Sequence, residues 1–345
     1  MNDGLTRREL LALLPTGALA YWFVGDVQEN YFAVTEIGSE ARTERIRPIP
    51  GGVALSDDDK LRATLGGGVI GPNGEDAVVT NRHVIDGSFC SGDSGELVGK
   101  PVYQPYLTDS GDNRIGEVID AGDTGGVAST DWALIQLDDS SNWTNEILGI
   151  GSIGSSTVPV TGERIVMSGL RSGVIGGELV EKSVSRKFNG CHFDDLLRYQ
   201  VDSGVETDGN SGSIVAHFDS EGAFRPIGIH SFSDDLGLYA IPITHLTEKG
   251  ITFESSSNTP TAPDTLSRFE GTVIDYDPDS GTATIHLGNV GGETGTRTVE
   301  TRHTDGNTVD SQELTLDPLQ TAQIQLVSPS SVVLETGDTS RLIDL

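Results

Sequence analysis

The sequence is poor in cysteine, methionine, lysine and aromatic residues. Two cysteines in 345 residues exclude a disulfide-dense scaffold. No Cys/His spacing fits a zinc site, so neither a metal nor another cofactor is expected. Lysine supplies only five of the 22 basic residues, and none follows Lys249. Against 52 acids this leaves a net charge of -30. Such a surface repels nucleic acid and anionic membranes, so no nucleic-acid partner is expected. Long apolar runs are missing too. The best candidate, residues 10–24, is shorter than the roughly 20 residues a membrane span needs, so no integral span is expected. Helical periodicity is nearly absent.

Glycine, by contrast, is abundant, with 44 residues, while apolar residues make up only 35%. Gly, Thr, Ser and Asp punctuate short apolar runs, which points to an all-β fold. The length suggests two domains. The acid excess is compatible with cation binding or with selection of basic substrates. It fits solvent adaptation better: acid-rich, lysine-poor chains resemble proteins of extreme halophiles such as haloarchaea, where salt screens self-repulsion. On that reading the charge says little about chemistry.

Residues 1–30 carry Arg7-Arg8 ahead of an apolar run that reaches Ala18-Leu19-Ala20. This resembles a twin-arginine export signal and implies an extracellular or cell-surface protein. The alternative is an amino-terminal amphipathic helix on a cytoplasmic protein. Residues 31–250 form one Gly-rich region of short β-like runs, with a short helix expected around Ile243 to Lys249. Residues 251–265 are rich in Ser, Thr and Pro and read as a linker. Residues 266–345 hold further strand-like runs separated by turns such as Asp279-Ser280-Gly281, the pattern of a small β-sandwich. Gly288-Asn289-Val290-Gly291-Gly292 and Leu316-Asp317-Pro318 give this region a resemblance to immunoglobulin-like modules. A surface or protein partner for it is left open.

Three short blocks carry the chemistry. Thr80-Asn81-Arg82-His83-Val84 follows the β-like run 77–80, Asp131 precedes Trp132-Ala133-Leu134-Ile135, and Gly209-Asn210-Ser211-Gly212-Ser213 precedes Ile214-Val215. A serine hydroxyl needs a base within hydrogen-bond reach and a third group to orient that base. Histidine suits the task because its unperturbed pKa is about 6.5, and a carboxylate on its other nitrogen fixes the tautomer. Ser211 is the candidate nucleophile, His83 the base and acid, and Asp131 the orienting acid. The N–H groups of Gly209 and Ser211 are candidates for the oxyanion hole.

In content, order and separation these blocks resemble the signatures of trypsin-like, chymotrypsin-fold serine proteases, over roughly residues 50–248. The resemblance implies a double β-barrel with the site in the groove between barrels, a polypeptide substrate and acyl transfer. Pro50-Gly51-Gly52-Val53-Ala54 and Val98-Gly99-Lys100-Pro101-Val102 resemble prokaryotic members, and Gly228-Ile229-His230 resembles glutamyl endopeptidases. Asn210 stands where digestive members carry the Asp that pairs with a newly cleaved amino terminus, so that activation route is not implied. Glu206, five residues before Ser211, falls where the family lines its primary specificity pocket and would favour basic substrate residues. His230 matches a histidine used against a substrate carboxylate. The two point in opposite directions or pair with each other. Ser231, Phe232 and Ser233 correspond to the strand that pairs with substrate backbone. Cys90 and Cys191 are both expected to flank the site, and sequence leaves their pairing open. The alternatives are a non-catalytic binding protein on a protease fold and an esterase on the same fold.

Overall fold

The computed structural model describes the chain from residue 40 onward, apart from residues 58–62, 91–93, 109–110, 124–128, 140–141, 203–207, 220–222, 254–266, 303–306, 329–330, 336–339 and 345. The expected leader at 1–30, most of the linker and Glu206 lie outside the described residues.

The fold is all-β, as the punctuated apolar runs imply. Among the described residues the helices are two short ones, Arg82–Asp86 and Thr244–Thr247, and two 3-10 turns. The second helix sits inside the segment where a helix was expected.

The amino-terminal half centres on a five-stranded sheet. Its strands follow one another as Gly67–Ile70, Asp76–Thr80, Ala133–Leu137, Arg114–Ala121 and Pro101–Tyr103. Two smaller sheets flank it. Strand side chains alternate between faces, and both faces are covered here. In Asp76–Thr80, Val78 enters one core with Ala133 and Ile135, while Ala77 and Val79 enter another with Trp132 and Leu134. That double burial explains why these strands read as continuous apolar runs.

The following half is a closed six-stranded barrel, Arg164–Gly169, Gly173–Phe188, Cys191–Val201, Gly237–Pro242, Phe224–Asp234 and Ile214–Phe218. Among the described residues this is the half that hydrogen bonding closes into a ring. Its alternation has the same logic: Val166, Ile214, Ala216, Ile229 and Ile241 face the core shared with the amino-terminal half. Ile165, Met167, Val215 and Ala240 face the other core. Ile251 is fully buried in the shared core and Thr252 pairs with Ile70, so the barrel chain continues three residues beyond its expected end.

The last region forms two sheets. One is Phe269–Asp277, Thr282–Asn289 and Thr321–Val327; the other is Thr308–Leu316, Gly295–Arg302, Ser331–Glu335 and Ser340–Asp344. Phe269, Val273, Ile285, Leu287 and Leu326 from the first share a core with Val299 and Leu316 from the second. The region packs directly on the barrel. Arg164 makes a two-pronged contact with Asp202 and donates to the Val273 carbonyl at 2.8 Å, and His286 Nε2 lies 3.0 Å from the Gly149 carbonyl.

Candidate active site

The three blocks meet because their strands are neighbours. Thr80 and Ala133 are paired in the sheet. His83 lies three residues past the first and Asp131 two before the second, so both emerge at the same edge. His83 is the second residue of the helix Arg82–Asp86. Ser211 lies three residues ahead of Ile214–Phe218, whose neighbour Phe224–Asp234 carries Ser231.

His83 Nδ1 lies 2.7 Å from Asp131 Oδ2, and the His83 backbone N–H donates to Asp131 Oδ1 at 2.9 Å. Ser231 donates its hydroxyl to Oδ2 as well. The Asp131 side chain is only 1% exposed. Burial alone would raise its carboxyl pKa. The His83 charge and the hydrogen bonds from His83 and Ser231 outweigh it and hold the carboxyl below its ordinary value. The carboxylate is therefore an ionised group held on both oxygens against one histidine, which fixes the ring and its tautomer.

Ser211 differs from expectation in one contact. Its hydroxyl donates to the Ser231 carbonyl at 3.1 Å, and among the described residues it has no hydrogen bond to His83. The Ser231 carbonyl is a competing acceptor on the adjacent strand. Hydrogen bonds of unliganded catalytic groups are commonly loose and tighten with substrate. Ser231 thus bridges the site, with its hydroxyl on Asp131 and its carbonyl on Ser211.

The turn bearing Ser211 is clamped from several sides. Ser213 donates to the Asn210 carbonyl from its hydroxyl at 2.6 Å and its N–H at 2.9 Å. Thr64 donates its hydroxyl to the Gly209 carbonyl at 3.1 Å and its N–H to the Ser211 carbonyl at 2.9 Å. Gly212, at φ +97°, passes so close to the other half that a Cβ would stand 2.0 Å from the Thr64 carbonyl oxygen. Only glycine fits there. Among the described residues the N–H groups of Gly209 and Ser211 have no acceptor, which leaves them available to an oxyanion.

Asn210 is fully buried, and its Oδ1 accepts the N–H groups of Arg171 and Ser172 at 3.0 and 3.2 Å. His230 is also buried: its Nδ1 lies 2.7 Å from the Tyr199 hydroxyl and its ring hydrogen-bonds the Tyr239 backbone. Burial, with the nearby His83 charge, pushes its pKa down to about 3, so it is neutral. Phe232 is buried in an aromatic cluster, while Ser233 is partly exposed. A paired partner for Glu206 falls outside the described residues. No group of His, Cys, Asp and Glu suited to a metal ion occurs among the described residues.

No family model matches the sequence, and no curated protein matches it. Solved structures similar to this chain include a Nocardiopsis protease at 18% identity and TM-score 0.47, and a Cellulomonas bogoriensis chymotrypsin at 16% and 0.44. Both are covered to 99%, against 60% of this chain. A glutamic acid specific serine protease, described as using a histidine triad in substrate binding, matches at 21% and 0.44, covering 60% of this chain and 100% of its own. The likeness is one of fold.

The structure adds residues to the site that sequence motifs do not contain. Thr64 lies in no motif, yet it touches both ends of the Gly209–Ser211 turn. Phe89 stacks on His83 with ring centroids 4.0 Å apart. The next residue, Cys90, forms a disulfide with Cys191, with Cα atoms 5.5 Å apart, tying the loop after His83 to the barrel. The only sequence signal for Phe89 was its place beside a cysteine.

Proposed function

We propose that this chain is a serine endopeptidase. The observation that carries the reading is the buried Asp131 carboxylate, both of whose oxygens engage His83, at the mouth of a groove shared with Ser211. A structural histidine needs no such partner.

In this reading Ser211 Oγ attacks a peptide carbonyl as His83 removes its proton. The oxyanion is met by the N–H groups of Gly209 and Ser211. Donors of this kind contribute roughly 3–4 kcal/mol each. His83 then passes its proton to the departing amine, and the acyl group stays as an ester on Ser211. Water, deprotonated by His83, attacks the ester and releases the acid. Asp131 stays ionised throughout and stabilises the imidazolium. Ser231, Phe232 and Ser233 supply the edge that pairs with substrate backbone, and Glu206 and His230 remain the candidates for side-chain specificity. Profiling on a peptide library, comparing wild type with Glu206→Gln and His230→Ala, assigns that preference.

The deciding experiment is labelling by a fluorophosphonate in molar salt. Wild type is expected to label and Ser211→Ala to remain blank. Equal labelling of the two, or none of the wild type, rejects the enzyme in favour of a binding protein on this fold. Turnover of esters without peptides would make it an esterase.

The reading extends to export through the amino-terminal segment and to an immunoglobulin-like carboxy-terminal module that meets a surface or protein partner. Amino-terminal sequencing of the mature protein tests the export step. An intact Met1 confined to the cytoplasm overturns it.

A further inference from the structure

The turn at residues 169–174 joins two barrel strands and lies between the site and the carboxy-terminal module. On one side it grips the site: the N–H groups of Arg171 and Ser172 both point at Asn210 Oδ1, the residue before Ser211. Gly169 is packed so tightly on that side chain that a Cβ would stand 2.2 Å from Oδ1. On the other side it is held by the module. The Val174 N–H donates to Glu270 Oε2 at 3.0 Å. Gly173, at φ +66°, leaves room for that carboxylate, since a Cβ would meet Oε2 at 2.5 Å.

Glu270 is not free to move. It pairs with Arg42, and the two side chains are 8% and 0% exposed. Arg42 also donates to the Gly52 carbonyl and to Ser168 Oγ. Burial pushes the Glu270 carboxyl up in pKa, but the charges of Arg42 and Arg268 and the Val174 N–H more than offset this, so it stays ionised. Removing the carboxylate would strand a buried guanidinium and a buried N–H, and the turn is the nearest element able to shift in response.

We propose that Glu270 is a positioning residue for the Ser211 turn, so that the carboxy-terminal module completes the active site instead of merely accompanying it. The path runs Arg42, Glu270, Val174, then Arg171 and Ser172, Asn210 and Ser211, each step a contact given above. Oxyanion donors act by being preorganised, and a displacement of about 1 Å costs on the order of a hundredfold in rate. This proposal rests on the serine-hydrolase reading of Ser211.

The test uses the full chain with Glu270→Gln, which keeps an acceptor oxygen, and Glu270→Ala. Active sites are first counted by fluorophosphonate titration. Then kcat and KM for p-nitrophenyl acetate, and inhibition by phenylboronic acid, which forms a tetrahedral adduct on a serine, are measured per titrated site. Expected are a fall in kcat of about threefold for Gln and tenfold or more for Ala, KM within about twofold, and boronate affinity weakened in parallel. Unchanged kcat and boronate affinity per site, even with a lower Tm, overturn the proposal and leave Glu270 a tether. If the Ala variant does not fold, the Gln variant carries the same decision. A wild type that does not label refutes the underlying Ser211 reading instead.

Discussion

Phe89 lies on His83 ring to ring, with centroids 4.0 Å apart and planes inclined by 21°. Its edge meets Phe188, Phe193 and Phe232 at 5.0, 6.3 and 6.0 Å. The imidazole is thus held at Nδ1 by Asp131 and across one face by a ring that is itself packed into the barrel. Such a pair is worth about 0.5–1.5 kcal/mol beyond area burial, where 1.4 kcal/mol is tenfold in rate. Phe89→Ala is therefore expected to slow fluorophosphonate labelling of Ser211 by roughly two- to tenfold, and Phe89→Tyr to restore most of it. An Ala variant that labels at the wild-type rate refutes a positioning role for the stack.

The Cys90–Cys191 disulfide joins residues 101 apart in sequence. In the chain-entropy account, loops of this length gain about 4–5 kcal/mol from closure, though that account is model-dependent. A Cys90→Ser, Cys191→Ser double variant should lose roughly 10 °C in Tm by calorimetry at fixed salt. A loss under about 2 °C would show that packing around Phe89 already holds the two halves together. Non-reducing peptide mapping of the wild type should recover the joined peptides.

Much of this was legible in the sequence, for identifiable reasons. His83, Asp131 and Ser211 each adjoin a strand buried on both faces, so the apolar runs marked where the chain ends at a groove. The barrel's longest hairpin, Gly173–Phe188 with Cys191–Val201, was not read. Register shifts between Leu179 and Arg186 break its alternation, and charged residues crowd its outer end. Its turn was nevertheless written plainly: Asn189 and Gly190, at φ 47° and 87°, are the pair a two-residue hairpin prefers. Thr64 and Glu270 were invisible for another reason. They act on residues 145 and 96 positions away, through single hydrogen bonds that no local pattern encodes. The burial of His230 was hidden by the register shift between it and Phe232.

Acid should destabilise the protein in two stages. His230 and His286 are buried, and burial pushes their pKa values down to about 3 and about 4. The ordinary histidine value is about 6.5, so below that pH the unfolded chain takes up protons that the native chain refuses. Stability therefore falls as pH drops from about 6.5 toward 4, by on the order of 2–3 kcal/mol for each histidine. Asp131 and Glu270 act lower. Their carboxyls are held below the ordinary carboxylate values, so the stability they give is present above those values and is lost only as pH falls through the depressed ones. Denaturant unfolding from pH 8 to 4 should show the first stage, and His286→Gln should flatten it. A wild-type curve that stays level from pH 6.5 to 4 contradicts this account.

Salt should act in the opposite sense, and on different residues. With 52 acids against 22 bases, the folded surface repels itself. Screening shortens the reach of exposed charges from about 10 Å at 0.1 M to about 3 Å at 1 M, whereas buried pairs such as Arg42 and Glu270 are screened far less. If the acid excess is an adaptation to brine, Tm should climb by on the order of 10 °C between 0.1 and 2 M KCl, a repulsion of a few kcal/mol being relieved. Replacing the exposed Glu96, Glu178, Glu293 and Glu313 by Gln should then raise Tm at low salt and shrink the climb. Those four substitutions leave the triad and the Glu270 contacts untouched, so any gain belongs to surface charge alone. A Tm that is flat in KCl would return the acid excess to its other explanation, selection of basic substrates. In that case the salt dependence should appear in KM for lysine- or arginine-containing peptides and not in unfolding.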